Sequence, residues 1–372
     1  MRVHQDLVEE ILERLPVKSL HRFKVVSKTW NSSIESQYFM KKHMIRRQLQ
    51  EPDFLLVDDQ VAGERMDDED MTIRTLVLGS SDHEAELEST LQLQFTFNDV
   101  TRSCDGLVCI YHFRRSILMV NPSTKWMREV PLASLQRRTF RWRNSGDEPN
   151  LLGFGKDICT DTYKLVWLYA SMEHLHTTCE VFDFVINSWR YVESPPYGLI
   201  DDHKPTYVDG SLHWFVCKES SEVRILSFDC HTEIFQEIAE CPLGDQENET
   251  RFIMCNLNNR LCVSEKKWPT QDIWTLNCSD MMKWEKMYSL DLSSCPDGWL
   301  ADGEWPIACP LAILNNKKLL IYDEHGPDGY NPNFVIYDME TRSYSLGFAA
   351  ESVIFVTPYF QSLISISKGL WV

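Results

Sequence analysis

The sequence predicts an α + β multidomain protein. A small N-terminal three-helix module is followed by an all-β, propeller-like domain of about 5–7 degenerate blades. Three observations predict this. Apolar residues recur at helical spacing between Asp6 and Trp30. From about residue 91 the period changes to short β-rich runs separated by turns. Those runs return as a degenerate repeat near 50 residues. The units are 1–46 for the helical module, 47–90 for a linker and first β segment, and 91–372 for the β domain.

In the first helix Leu7, Val8, Ile11, Leu12 and Leu15 fall on one face, with Glu9, Glu10, Glu13 and Arg14 on the other. Pro16 ends that helix and can open the next. Leu20, Phe23 and Val26 form a second apolar stripe, and Ser27 is placed to cap a third helix holding Trp30 and Ile34. Helical character continues from Ser36 to Gln50, where Lys41, Lys42, Arg46 and Arg47 read as a solvated face rather than a nucleic-acid patch. Three short helices carry more apolar surface than a unit of roughly forty residues can bury in itself. Part of that surface therefore needs a partner.

The run D-L-V-x-E-I-L-x-R-L-P-V-K-S-L-x-R-F-K-x-V-S-K-x-W resembles the plant F-box, over about the first 45 residues. That family usually carries an apolar residue and a proline just before the run, where this sequence has Val3-His4. The resemblance implies docking on the Skp-type adaptor of a cullin–RING ubiquitin ligase. By the same resemblance the docking anchors are Leu7, Ile11, Leu12, Leu15, Pro16, Leu20, Phe23, Val26 and Trp30, some of which are internal to the module. Five or six such anchors at ~2 kcal/mol each give about 10–12 kcal/mol gross.

The charge is unevenly spread. The whole 372-residue chain carries −18, but residues 1–50 carry +5 and the remainder −23. An acidic body argues against nucleic acid and against anionic membranes as partners. The start is charged and amphipathic rather than a secretory leader. The apolar run Val353–Ile366 contains Pro358 and Gln361 and is too short to span a bilayer. Residence is expected in the cytoplasm, the nucleus or both, with the 12 cysteines reduced.

Residues 58–90 are acidic around Asp67-Asp68-Glu69-Asp70, which reads as a loop ahead of a strand at Ile73–Leu78. Beyond residue 91 a shared scheme appears. A strand ends in Asp or Asn, a polar turn follows, and an aromatic opens the next strand. Asn121 to Trp126, Asp183 to Trp189, Asp229 to Phe235 and Asp338 to Tyr344 follow it, with a looser copy from Ile273 to Trp284. Short polar side chains cap such turns by bonding their own backbone. A second hairpin precedes several of these, at Asp105-Gly106, Asp209-Gly210, Asn258-Asn259 and Asn315-Asn316, pairs suited to positive φ. Two hairpins make four strands, which is a propeller blade. Residues 51–100 and 345–372 supply a further blade or share one between the termini.

The phrases S-C-D-G-L-V-C, N-P-S-T-K-W and V-D-G-S-L-H-W resemble the F-box-associated, kelch-like domain that follows the F-box in a large plant family. The joint resemblance implies a substrate receptor of an SCF-type ligase, with the β domain holding a target protein. The alternative is an interaction scaffold whose F-box recruits no ligase.

No catalytic constellation is readable, and no enzyme activity, metal or cofactor is expected. His174 and His176 lack a partner at ligand spacing. Cys104 and Cys109 lack a second pair, and Gly153-Phe154-Gly155 reads as a blade turn rather than a phosphate loop. The stretch Asp323 to Gly329 matches a calcium loop in composition only. Trp126, Trp189 and Trp284 are expected in the core, while Trp299 and Trp305, in a loop rich in Asp, Gly and Pro, are the candidate target-binding anchors.

Overall fold

The computed structural model describes residues 5–60, 70–79 and 85–366, apart from 96, 98, 113–114, 140–149, 172–173, 201–202, 218–222, 239–241, 244–250, 278–282, 297–306 and 324–331. Four helices come first: α1 (Gln5–Leu12), α2 (Val17–Phe23), α3 (Lys28–Ile34) and α4 (Gln37–Gln48). The three expected helices are present, and the basic stretch after Ser36 adds the fourth.

Among the described residues after α4, apart from a short helix at Ser134–Thr139 and a 3-10 turn at Leu292–Ser294, the regular structure is β, arranged as six antiparallel sheets. Five are built from consecutive strands. The second blade starts at Asp99–Val100, the third at Asn150–Asp157, the fourth around Thr206–Val208, the fifth at Arg251–Leu257 and the sixth at Ala308–Leu314. The first blade is shared between the chain ends. Asp53–Gln60, Asp70–Leu78 and Ala85–Gln94 supply three strands, and Val353–Tyr359 pairs with Asp53–Gln60 to complete the sheet. The region set apart in the sequence as linker and first β segment is therefore three-quarters of a blade. The strand expected at 73–78 begins at Asp70, and the acidic residues 67–69 lie outside the described residues.

Neighbouring blades are cemented by six apolar clusters, one for each junction around the ring. Leu55, Val57, Val108 and Ile110 join the first blade to the second. Phe54 and Leu56, on the opposite face of the same strand, meet Leu314 and Leu320 of the sixth. That alternation is what a strand buried on both faces requires. Gly153 and Gly155 do not form a turn, contrary to the sequence reading. They lie in the inner strand of the third blade, where an added Cβ would stand 2.9 Å from Trp214 and 2.7 Å from Tyr207 of the fourth. Glycine lets the two blades approach. Trp126, Trp189 and Trp284 are half-buried rather than core, because each opens the outermost strand of its blade and covers the edge of an inter-blade cluster.

The turns behave as their chemistry dictates. Both residues of Asp105-Gly106, Asp209-Gly210, Asn258-Asn259 and Asn315-Asn316 have positive φ. Lys125, Asn187, Glu233 and Arg342 also do, at the residue before or near the repeat aromatic. Asn121, Asp183, Asp229 and Asp338 each accept from the backbone N–H two residues on. In a four-stranded antiparallel blade the first and third turns share one end. All of these turns therefore crowd one face of the propeller. The outer strands of the second to fifth blades end toward the other face, at Val130, Val192, Ile238 and Asp291.

Candidate functional site

The helical module closes around a small core. Leu12, Val17, Leu20, Ile34 and Phe39 face inward, edged by Val8, Leu15, Phe23, Trp30 and Met40. Ser27 caps α3 as its sequence predicts, its Oγ accepting from Trp30 N at 3.1 Å, and Ser36 caps α4 by accepting from Phe39 N at 3.2 Å. Pro16 precedes α2 with φ −58°, the value its ring imposes.

What the module does not bury is the informative part. Leu7 and Ile11 are 55% and 58% exposed on α1, and Val25 and Val26 are 87% and 58% exposed in the turn between α2 and α3. Pro16 is exposed as well. Leu15, Phe23 and Trp30 are half-buried, with the last two rings edge-to-face at 5.7 Å. Leu12 and Leu20 are sealed inside, at 2% and 0%, so these two expected anchors hold the helices together and reach no partner. Val25 was not singled out from the sequence because it sits off the stripe of Leu20, Phe23 and Val26. α2 stops at Phe23, and the turn that follows presents both valines.

The module is seated on the turn-rich face. Lys41 pairs with Asp161 at 3.1 Å, Gln48 donates to Asp105 at 3.0 Å, and Glu51 accepts from Asn315 N at 2.7 Å. Those partners come from the first turns of the third, second and sixth blades. His43 bonds the Leu15 carbonyl at 2.9 Å, and burial lowers its pKa. Between module and propeller lies a cavity of about 260 Å³ lined by Glu13, Leu15, His43, Arg46, Arg47 and Asp53, among others.

One group of potential metal donors escaped the sequence reading. Asp157, Cys159 and His231 bring their donor atoms within 4.8 Å of one another, where turns of the third and fourth blades meet. No spacing rule could reveal it, since His231 lies 74 residues from Asp157. Burial would raise the Asp157 carboxyl, but hydrogen bonds from Thr160, His231 and Cys159 hold it at about 2. Its oxygens are thus already occupied in capping the turn. Cys104 and Cys109 are buried in the cluster between the second and third blades, where burial pushes both thiols well up. The side chains of His174 and His176, residues 324–329, and Trp299 and Trp305 lie outside the described residues. On the face away from the helices, Trp268 is 51% exposed, with the Lys266 ammonium 5.9 Å from its ring.

A helical module with an outward apolar row, fixed to one face of a propeller whose other face is free of it, defines an adaptor or receptor type of protein. Comparison with known proteins names the family. Residues 2–42 match the F-box domain and residues 65–366 the F-box associated beta propeller domain. An Arabidopsis thaliana F-box/LRR-repeat/kelch-repeat protein is 42% identical over 379 residues, covering 97% of this chain and 96% of the relative. Two Arabidopsis thaliana F-box proteins are 39% and 38% identical, each over 97% of this chain and over 98% and 84% of themselves. The chain belongs to the F-box proteins that carry an F-box associated β-propeller.

Proposed function

We propose that this chain is the substrate-recognition subunit of an SCF-type cullin–RING ubiquitin ligase. The F-box docks on the Skp-type adaptor, which links it to cullin and the RING subunit. The propeller holds a target protein so that a target lysine stays near the charged ubiquitin-conjugating enzyme. The receptor contributes proximity, not bond chemistry.

The observation that carries this reading is the outward row of Leu7, Ile11, Val25 and Val26 on a module whose own core is already complete without them. Exposed aliphatic side chains on a folded module are binding surface in waiting. The target is assigned to the face opposite the F-box. The F-box and its seat occupy the turn-rich face, and Trp268 offers an aromatic anchor on the other.

The test is capture by a purified Skp-type adaptor. Ile11→Asp and Val26→Asp should abolish capture while unfolding as wild type, because both side chains point outward. Trp268→Ala should leave adaptor capture intact and weaken retention of targets that accumulate on a receptor with a disabled F-box. Wild-type adaptor capture by both charge variants would overturn the docking assignment.

A further inference from the structure

The last strand of the propeller ends at Tyr359, but the chain does not leave the molecule there. Residues 360–366 run between the helices and the propeller, and at Ser362, Leu363 and Ile364 successive side chains turn to the propeller, the helices and the propeller again. Leu363 is 5% exposed and belongs to the core of the helical module, beside Leu12, Val17, Leu20, Ile34 and Phe39. Ser362, Ile364 and Ile366 face the propeller, the two isoleucines covering the cluster between the second and third blades. The segment is held by buried polar side chains. Asn121, 0% exposed, donates its amide to the carbonyl oxygens of Ser362 at 3.0 Å and Ile364 at 2.8 Å. Ser362 Oγ donates to the Asp105 carbonyl at 2.7 Å, and Arg128 donates to the Ile366 carbonyl at 3.3 Å. Arg47 of α4 stacks over Phe360 at 5.6 Å, and Gln361 donates to Asp53, at the start of the first blade, at 3.1 Å.

We propose that residues 360–366 are a clasp that sets the orientation of the F-box on the propeller, with Leu363 as its positioning residue. The other bridges described between the two parts are polar: the largely buried Arg47–Asp53 pair stands where the chain itself crosses from helix to propeller, with Gln361 of the segment on the same carboxylate, and Gln48 donates to Asp105. Lys41–Asp161 and Lys18–Glu88, at 3.1 and 3.6 Å, join half-exposed side chains, a kind of pair that contributes little on its own. Among the described residues, Leu363 is the one from the propeller side in the helical core. A target lysine is positioned relative to the docked adaptor only if this joint is stiff. That consequence rests on the receptor reading, whereas the clasp itself does not.

Carbodiimide coupling, which joins an amine to a carboxylate in contact, tests it on the full chain without the adaptor. Lys41–Asp161 and Lys18–Glu88 report the joint. Lys24–Glu35, at 3.3 Å, reports the helical module, and Lys286–Asp272, at 2.7 Å, the fifth blade. In Leu363→Asp, and to a smaller degree in Leu363→Ala, the joint couplings should fall by about ten-fold, as expected when a large buried apolar contact is removed. The two internal couplings should hold. Joint couplings at wild-type yield in both variants overturn the proposal. So does loss of Lys24–Glu35 in step with the joint in both, since Leu363 would then only complete the helical core. Failure of the wild-type chain to capture the adaptor would instead strike the receptor reading and leave these yields untouched.

Discussion

Arg47, in the last turn of α4, pairs with Asp53, the first residue of the first blade, at 2.7 Å. The contact spans the point where helix gives way to propeller. A second guanidinium nitrogen donates to the Glu51 carbonyl at 2.6 Å, so one side chain bends the chain between the two parts. Burial raises the Asp53 carboxyl even though Arg47 pulls it down. Removing the cation leaves a buried carboxylate with the neutral Gln361 amide beside it and no counter-charge from Arg47, so Arg47→Ala should lower unfolding stability by about 3 kcal/mol. Arg47→Ala with Asp53→Asn should recover most of that, since Gln361 still reaches the amide. The sign with pH follows. With a folded pKa above 3.8, protonation favours the fold, so the single variant's deficit should shrink as pH falls toward that value. Denaturant titrations of the wild type and the two variants at two pH values make the comparison.

The nine residues expected to dock an adaptor divide by exposure, and stability measurements can check the division. Leu20→Ala removes a fully buried side chain and should cost about 3 kcal/mol. Ile11→Ala, at a site 58% exposed, should change stability by less than about 0.5 kcal/mol. Adaptor capture should show the reverse emphasis for Ile11. A matching loss of stability at both sites would mean Ile11 is packed against this chain, and the outward row would disappear.

Much of this was legible in the sequence. Ser27 as a cap, the Asx turns at Asn121, Asp183, Asp229 and Asp338, and the paired positive-φ residues all rest on local backbone chemistry, which few neighbours can override. The first blade was legible only as a possibility, because Asp53–Gln60 and Val353–Tyr359 pair across nearly the whole chain and no local pattern encodes that. The sequence does not sort Leu12 and Leu20 from Leu7 and Ile11, for a related reason. A helical stripe marks an apolar face, but which edge of it meets α4 and Leu363 depends on how the helices dock. Gly153 and Gly155 were misread because a glycine needed for contact between blades looks the same in sequence as one needed for a turn.

His213 offers a pH signature within the propeller. It lies in a strand of the fourth blade, 7% exposed, and burial lowers its pKa from 6.5 to about 4. The folded state therefore takes up its proton later than the unfolded chain. Stability contributed by the neutral ring is complete above 6.5 and is lost as pH falls toward 4. Between pH 7 and pH 5 the wild type should lose about 2 kcal/mol through this residue alone. His213→Leu should flatten that slope without shifting the ordinary carboxylate titration below it. An unchanged slope would place the pH sensitivity elsewhere, with His43, which burial also lowers, next in line.

Gly106 and Gly210 isolate how closely the C-terminal segment presses on the second blade. Both occupy the same turn position in their blades, with φ +77° and +84°. Either substitution by alanine meets the same left-handed backbone penalty, of about 1 kcal/mol. They differ in what the new methyl would meet. At Gly210 the nearest atom is Ile158 Cγ1 at 3.2 Å, on a side chain 56% exposed and able to turn aside. At Gly106 it would stand 2.5 Å from both the Phe360 carbonyl oxygen and Ser362 Oγ. That carbonyl is backbone, and Ser362 is tied to Asn121 and Asp105. The methyl fits only if the segment lifts away, taking Leu363 from the helical core. Gly106→Ala should therefore lose at least ~2 kcal/mol more than Gly210→Ala in denaturant unfolding. It should also lower the Lys41–Asp161 coupling, which Gly210→Ala leaves alone. Equal losses in the two variants would show that the segment yields to a methyl group without strain, and is too loosely held to orient anything.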